Sequence, residues 1–227
     1  MEKRVLAVSD VHGEADKLER LLQKTGYDRE KDQLILLGDY VDRGPDSKRT
    51  VEKVIALHKE GAIVLKGNHD EMMEQSFRGE RERYLNVWLL NGGLETLKAY
   101  GYDIPEADGR MPELVENAAV RDHLDFFQQL PLVYTTEDYI FAHAGVDPDK
   151  PLDACDANVL LWIRDRFHAG YKGDKTVVFG HTPTSTFHDS CDVYFGDNNI
   201  IGIDGGCVFG GRLNALELPS RKVYFVE

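Results

Sequence analysis

The 227 residues, 42% hydrophobic and 30% charged with 10 Phe, 10 Tyr and 2 Trp, suffice for one domain with an ordinary buried core and exclude a disordered or fibrous chain. Forty acidic side chains against 27 basic ones give a formal net charge of −13, and with no Lys/Arg run in the sequence this disfavours nucleic acid as the main partner. No stretch approaches the roughly 18 apolar residues of a membrane span, Met1-Glu2-Lys3-Arg4 leads straight into a strand-like run, and the three cysteines (Cys155, Cys191, Cys207) lack metal spacing, so the expectation is a protein of the reducing cytoplasm with no membrane partner.

In chain order, short apolar runs end abruptly in polar residues: Val5–Val8 before Ser9-Asp10, Leu34–Leu37 before Gly38-Asp39, and Ala62–Leu65 before Lys66-Gly67-Asn68. Runs of this length with little alternation predict central strands covered on both faces. Between them, Ala15–Lys24 carries Leu18, Leu21 and Leu22 on one helical face, and Asp46–Lys59 carries Val51, Val54, Ile55 and Leu57. Strand, helix, strand, helix, strand predicts a parallel α/β sheet. From Glu71 to about Gln129 the pattern becomes helical and polar, with breaks at Gly92-Gly93 and Pro105. This segment has too few apolar residues for a core of its own, so residues 1–227 read as a single domain with a mostly helical insertion at about 71–130. Strands return with Tyr139–Ala142, Val177–Phe179, Ile200–Ile203, Leu213–Leu218 and Lys222–Val226.

The strand ends deliver Asp10 and His12, Asp39 and Asp42, Asn68 and His69, His143, and His181. Ligands of open α/β sheets gather at such carboxyl ends. Asp10 and His12, two apart, are expected to point to the same side of a strand end. Carboxylate, imidazole and amide oxygen form the donor set that divalent transition metals accept, and the number of donors exceeds one four-coordinate site. Gly38, Gly67, Gly145 and Gly180 each lie within two residues of a proposed ligand, where backbone turns sharply or packs closely. Other phosphate chemistries are disfavoured: there is no G-x-x-x-x-G-K-[ST], and Cys207 and Arg212 are one residue too close for a C-x-x-x-x-x-R loop. His168-Ala169-Gly170 reads as helix capping rather than ligation, and His58, His123 and His188 read as surface residues. Asp204-Gly205-Gly206 reads as a loop lining the cleft.

Asp10-Val11-His12, Gly38-Asp39-Tyr40-Val41-Asp42-Arg43-Gly44, Gly67-Asn68-His69-Asp70, His143-Ala144-Gly145 and Gly180-His181-Thr182 follow in order. Together they resemble the motif set of the phosphoprotein phosphatase branch of the metallophosphoesterases, and Gly67–Met73 looks most similar to the compact bacterial and phage serine/threonine phosphatases. Asp70 stands where many members have Glu, a departure expected to matter little. The resemblance implies an α/β calcineurin-like fold, a central β-sandwich of mixed sheets flanked by helices in α-β-β-α layers. It implies two divalent metal ions, manganese first with iron or zinc as alternatives, one held by Asp10, His12 and Asp39 and the other by Asp39, Asn68, His143 and His181. His69 is then the general acid, oriented by Asp42, Arg43 grips phosphate oxygens, and Arg164 in Leu160–Arg164 is the second phosphate-binding arginine. The implied reaction is hydrolysis of phosphomonoesters by direct attack of a metal-bridging hydroxide.

Three functions follow. The first is a serine/threonine protein phosphatase, extending to phosphotyrosine, with phosphorylated protein or a small phosphoester as partner. The second is a symmetrical dinucleoside tetraphosphate hydrolase, disfavoured because a polyphosphate calls for cations that a −13 chain does not advertise. Arg78, Arg81 and Arg83 could supply them, although a solvated helix face paired with Glu80 and Glu82 is the simpler reading. The third, a non-catalytic scaffold, fits poorly with a complete ligand set.

Overall fold

The computed structural model describes residues 3–104 and 113–227; the break expected at Pro105 lies outside the described residues. Strand β1 (Arg4–Val8) leads to helix α1 (Ala15–Thr25), β2 (Asp32–Leu36), α2 (Ser47–Lys59) and β3 (Ile63–Val64). Both helices stop and start where local chemistry directs. Gly26 caps α1 in the left-handed region at φ 63°, and the Asp46 carboxylate accepts the Arg49 N–H at 3.0 Å to open α2. The helical segment supplies α3 (Asn68–Arg78), α4 (Arg81–Trp88), a wide turn at Leu89–Gly93, α5 (Leu94–Ala99) and α6 (Ala118–Gln128). After β4 (Val133–Thr135) and β5 (Tyr139–Ala142), α7 (Ala157–Trp162) and α8 (Asp165–Gly170) precede β6 (Thr176–Phe179), β7 (Tyr194–Phe195), β8 (Ile200–Gly202), β9 (Leu213–Leu218) and β10 (Lys222–Val226).

The strands form two five-stranded mixed sheets, in the orders β10-β9-β1-β2-β3 and β4-β5-β6-β8-β7. Strands β1, β2 and β3 are mutually parallel, as are β5, β6 and β8, while β9 pairs antiparallel with both β1 and β10, and β4 and β7 pair antiparallel with β5 and β8 at the edges of the second sheet. Side-chain alternation explains the uninterrupted apolar runs. Ala7, Ile35 and Leu37 face the second sheet's Phe141, Val178 and Ile201 in one buried cluster. Leu6, Val8, Leu34 and Leu36 point the other way, under α1, α2 and the helical insertion, whose Leu85, Trp88, Leu97, Val120, Leu124 and Phe127 join the same cluster. On the second sheet, Ile140, Ala142, Val177 and Phe179 are covered by Leu160 and Phe167. The result is the expected α-β-β-α layering, with the central strands of both sheets covered on both faces.

Two sequence expectations change here. His123 is buried, because α6 presents it between Val120 and Leu124, and its Nδ1 lies 2.6 Å from the Tyr100 hydroxyl. The stretch around Trp162–Phe167 is not one helix: it breaks at Arg164 (φ −134°, ψ −117°), leaving that residue outside both α7 and α8. His168-Ala169-Gly170 forms the last residues of α8, with Tyr171 rather than Gly170 at the cap, and His58 is exposed as expected while His188 is half-buried.

Candidate metal centre and phosphoester site

The carboxyl ends of the parallel strands of both sheets meet at one edge, and the chain beyond them is forced into unusual backbone. Asp10 (φ 54°), His12 (φ 44°), Asp39 (φ 59°), Asp42 (φ 74°), Arg43 (φ 69°) and His181 (φ 63°) all occupy the left-handed region. Each such residue costs on the order of 1 kcal/mol or more and persists only where surrounding contacts over-determine it. Those contacts are present. The N–H groups of Asp10, His12 and Gly13 donate to the carbonyls of Gly38, Asp39 and Tyr40 at 3.2, 2.9 and 2.9 Å. The Asp70 carboxylate accepts the backbone N–H groups of Asp39, Tyr40 and Gly67 at 2.9, 3.0 and 2.9 Å. Asp70 is therefore a keystone of the two motif loops. Burial lifts it to about 7 against those three hydrogen bonds. The same backbone overturns the strand-alternation argument for Asp10 and His12: both lie beyond the end of β1, and turn geometry, not pleat, sets their directions.

Asp39 sits at the middle of the donors. Its Oδ2 lies 3.6 Å from His12 Nε2 and 4.0 Å from His69 Nε2, and its Oδ1 lies 3.5 Å from His143 Nε2. Asn68 Oδ1 is 2.8 Å from both His143 Nε2 and His181 Nδ1. Two compact donor groups share Asp39: His12, Asp39 and His69 on one side, Asp39, His143 and His181 on the other. Asp10 is buried at the same edge, but its Oδ2 is fastened to the His181 N–H at 2.9 Å and to the Ser9 hydroxyl. Gly67 and Gly180 are obligatory, because a Cβ at either would strike Asp39 Oδ1 or Asp10 Oδ2 respectively.

The protonation chemistry fits cations. His12 and His143 direct Nδ1 at the carbonyls of Val41 (2.7 Å) and Leu37 (2.8 Å), which places the proton on Nδ1 and leaves Nε2 as an acceptor lone pair. Burial holds His12, His69, His143 and His181 below the ordinary histidine value, so they are neutral. The His143 lone pair thus faces the oxygens of Asn68 and Asp39 with no proton between them, and among the described residues His181 Nε2 is buried without a partner. Burial, with the Asp10 charge next, pushes Asp39 well above the usual carboxylate range. Acceptors aimed at acceptors, and a carboxylate that resists ionising, are relieved together by divalent cations.

His69 differs from His12 and His143 in its Nδ1 partner, the Asp42 carboxylate at 2.6 Å. Asp42 is itself held by residues the motifs did not flag. The Trp88 indole N–H donates to both its oxygens (2.9 and 3.0 Å), and the Thr96 hydroxyl donates to Oδ1 at 2.6 Å. Burial lifts Asp42 to about 8, with Thr96 and Trp88 opposing. The only sequence hint of this was one of two tryptophans beside Gly92-Gly93.

The two arginines flank the donors. Arg43 is half-buried, donates from NH1 to His12 Nε2 at 2.9 Å, and is held by the Gly92 carbonyl on its N–H. Arg164 is exposed at the helix break and reaches across to Thr182 Oγ1 (3.0 Å) and the His181 carbonyl (3.4 Å). Asp204 is buried within the field of Asp10, Arg43 and Arg164, consistent with a cleft-lining loop. Arg78 turns away to Glu116 (2.7 Å) and Asp125 (2.5 Å), and Arg83 pairs with Glu80 at 3.1 Å, so neither serves the cleft.

A mixed-sheet sandwich with carboxylates and imidazoles at its strand ends defines a metallophosphoesterase. Residues 3–211 match the calcineurin-like phosphoesterase family, and the chain belongs to it. Among curated relatives, the bis(5'-nucleosyl)-tetraphosphatase PrpE [asymmetrical] of Oceanobacillus iheyensis is 28% identical over 95% of this chain and 88% of its own length. That of Anoxybacillus flavithermus is 29% identical over 96% and 92%. The crystal structure of a candidate diadenosine tetraphosphatase aligns over 99% of this chain and 93% of its own at a TM-score of 0.72 and 25% identity. Likenesses to a serine/threonine phosphatase of Saccharomyces cerevisiae, at 15% identity, carry the fold alone.

Proposed function

We propose that the chain is a metal-dependent hydrolase of dinucleoside tetraphosphates that cuts them asymmetrically. The observation that carries this reading is the near-full-length similarity to tetraphosphatases bearing that name, against phosphatases related by fold only. It reverses the order of preference drawn from the sequence, and the relatives are named asymmetrical where the sequence suggested a symmetrical cut. The charge objection fails on locality. A net charge of −13 sums the whole surface, whereas a polyphosphate meets Arg43, Arg164 and the cations that the donors invite.

In this reading Asp39 would serve two metal ions, with His12 and Asp10 helping to hold one and Asn68, His143 and His181 the other. Manganese is the first expectation because the donors are oxygen and nitrogen without thiolate. Bound there, two divalent cations supply Lewis-acid polarisation of the phosphoryl group and a water acidic enough to ionise near neutral pH. Arg43 and Arg164 grip the phosphoryl oxygens as the charge on them grows. His69 delivers a proton from Nε2 toward the leaving oxygen while its Nδ1 takes up the proton that burial keeps on Asp42. A departing nucleotide polyphosphate is a stable anion and needs less of that help than an alkoxide.

The test is kcat/KM for a dinucleoside tetraphosphate and for a serine phosphopeptide under the same manganese and salt. The tetraphosphate is expected to lead by tenfold or more, about 1.4 kcal/mol. A tenfold lead for the phosphopeptide returns the chain to the protein-phosphatase reading.

A further inference from the structure

Among the described residues two aromatic rings are exposed, Phe195 (39%) on β7 and Phe209 (65%). Phe209 lies in the loop from Asp204 to Arg212 that carries the chain from β8 of one sheet to β9 of the other. This loop is rigidly built. The Gly206 carbonyl accepts the N–H groups of Phe209 (2.9 Å) and Gly211 (3.0 Å), and the Gly205 carbonyl accepts that of Arg212 at 3.0 Å. Asp204 Oδ1 accepts the Gly206 N–H at 2.9 Å, and Lys17 Nζ donates to the Cys207 carbonyl at 3.2 Å. Within one short turn Cys207 is buried, while Phe209 is held out in water. Gly206 and Gly210, at φ 68° and 81°, make that turn possible and put no side chain beside the ring.

One face of the ring is already occupied. The Arg43 guanidinium carbon lies 5.0 Å from the Phe209 centroid, and the NH1 of the same arginine lies 2.9 Å from His12 Nε2. A single arginine side chain therefore separates the ring from the metal-type donors. A large apolar ring fixed at the edge of a phosphoester site, backed by a cation, suits a planar base attached to the phosphate being cut.

We propose that Phe209 is the stacking platform for the purine base of the nucleotide whose phosphate lies at the donor cluster. The inference rests on the nucleotide substrate proposed above and adds the residue that recognises the nucleoside. Arg43 joins the two halves of recognition, touching phosphate with its nitrogens and supporting the ring with its plane. A ring offers no hydrogen-bonding edge, so adenine and guanine are accepted alike and pyrimidines, with less stacking area, bind more weakly.

The experiment measures binding of AMP and of ribose 5-phosphate to the manganese-loaded protein by calorimetry, in wild type and in Phe209→Ala, Phe209→Leu and Phe209→Trp. Wild type should prefer AMP by about fivefold or more, the low end of base–aromatic stacking. Phe209→Ala and Phe209→Leu should reduce that preference to under twofold, and Phe209→Trp should keep or widen it. Leu preserves apolar bulk, so its failure separates stacking from simple packing. Equal binding of both ligands to wild type, or a preference that survives in Phe209→Ala, overturns the proposal. Wild-type hydrolysis of a dinucleoside tetraphosphate is recorded in parallel. Its absence alongside a Phe209-dependent AMP preference overturns the substrate and leaves the platform standing; its presence with a Phe209-independent preference does the reverse.

Discussion

Replacing Trp88 by Phe removes one N–H group and the part of the indole that the smaller ring cannot fill. The indole nitrogen lies 2.9 and 3.0 Å from the two oxygens of Asp42, whose Oδ2 is 2.6 Å from His69 Nδ1. Asp42 becomes a carboxylate only as it yields its proton to His69; a hydrogen bond to a charged group contributes about 1.5–3 kcal/mol, and Thr96 continues to hold Oδ1. The loss carried through to His69 should therefore sit near the lower figure, about tenfold in rate. It should appear where the leaving group needs a proton. With Trp88→Phe we expect kcat for an alkyl phosphate to fall about tenfold, while kcat for a dinucleoside tetraphosphate falls less than threefold. Trp88 is fully buried, so the smaller ring leaves a cavity and lowers the melting temperature, and the kinetics are measured well below it. Equal losses on both substrates in a folded variant would refute the Trp88–Asp42–His69 relay.

Three further outcomes are expected. Removing metal with a chelator should abolish turnover, and manganese should restore it; full activity in metal-free protein would contradict the donor assignment. Asp39→Asn should lower bound metal and turnover together, whereas His69→Asn should lower kcat with metal content kept, as elemental analysis beside kinetics will show. Stability should also fall with acid. Burial depresses His123 and His168 to about 4 from an ordinary 6.5. The unfolded chain then binds more protons between those values, so stability is fully present above about 6.5 and is lost as pH falls toward 4, by up to a few kcal/mol. Urea midpoints across that range should drop in wild type and drop less in His123→Phe; identical slopes would show that His123 does not contribute.

The parts of the fold that were legible in the sequence are those in which both faces of a strand are covered. Leu6, Ala7 and Val8 are all apolar because their alternate sides meet two different cores, and that leaves a run a reader can see. The edge strands β4 and β7 carry half-exposed, short stretches with no such run. The donor residues were legible for a related reason: a sheet can bring them together only at strand ends, so each stands beside an apolar run. What holds them was not. Trp88 and Thr96 reach Asp42 from 46 and 54 residues away, through helices whose composition marks only a polar surface. His123 was hidden because its burial depends on helix phase against Tyr100. The role of Asp70 was hidden as well, because its two oxygens fix three backbone groups that only the fold brings together. Net charge weighed against a polyphosphate substrate, yet a sum over 227 residues does not report the few charges that face a cleft.

Chromatography of the nucleotides released in the first turnovers of P1,P4-bis(adenosine) tetraphosphate by the manganese-loaded protein tests the central claim most directly. The account predicts ATP and AMP appearing in equal amounts from the start, with no ADP. An intact dinucleotide under conditions where a phosphopeptide is dephosphorylated, or ADP as the sole product, would contradict it.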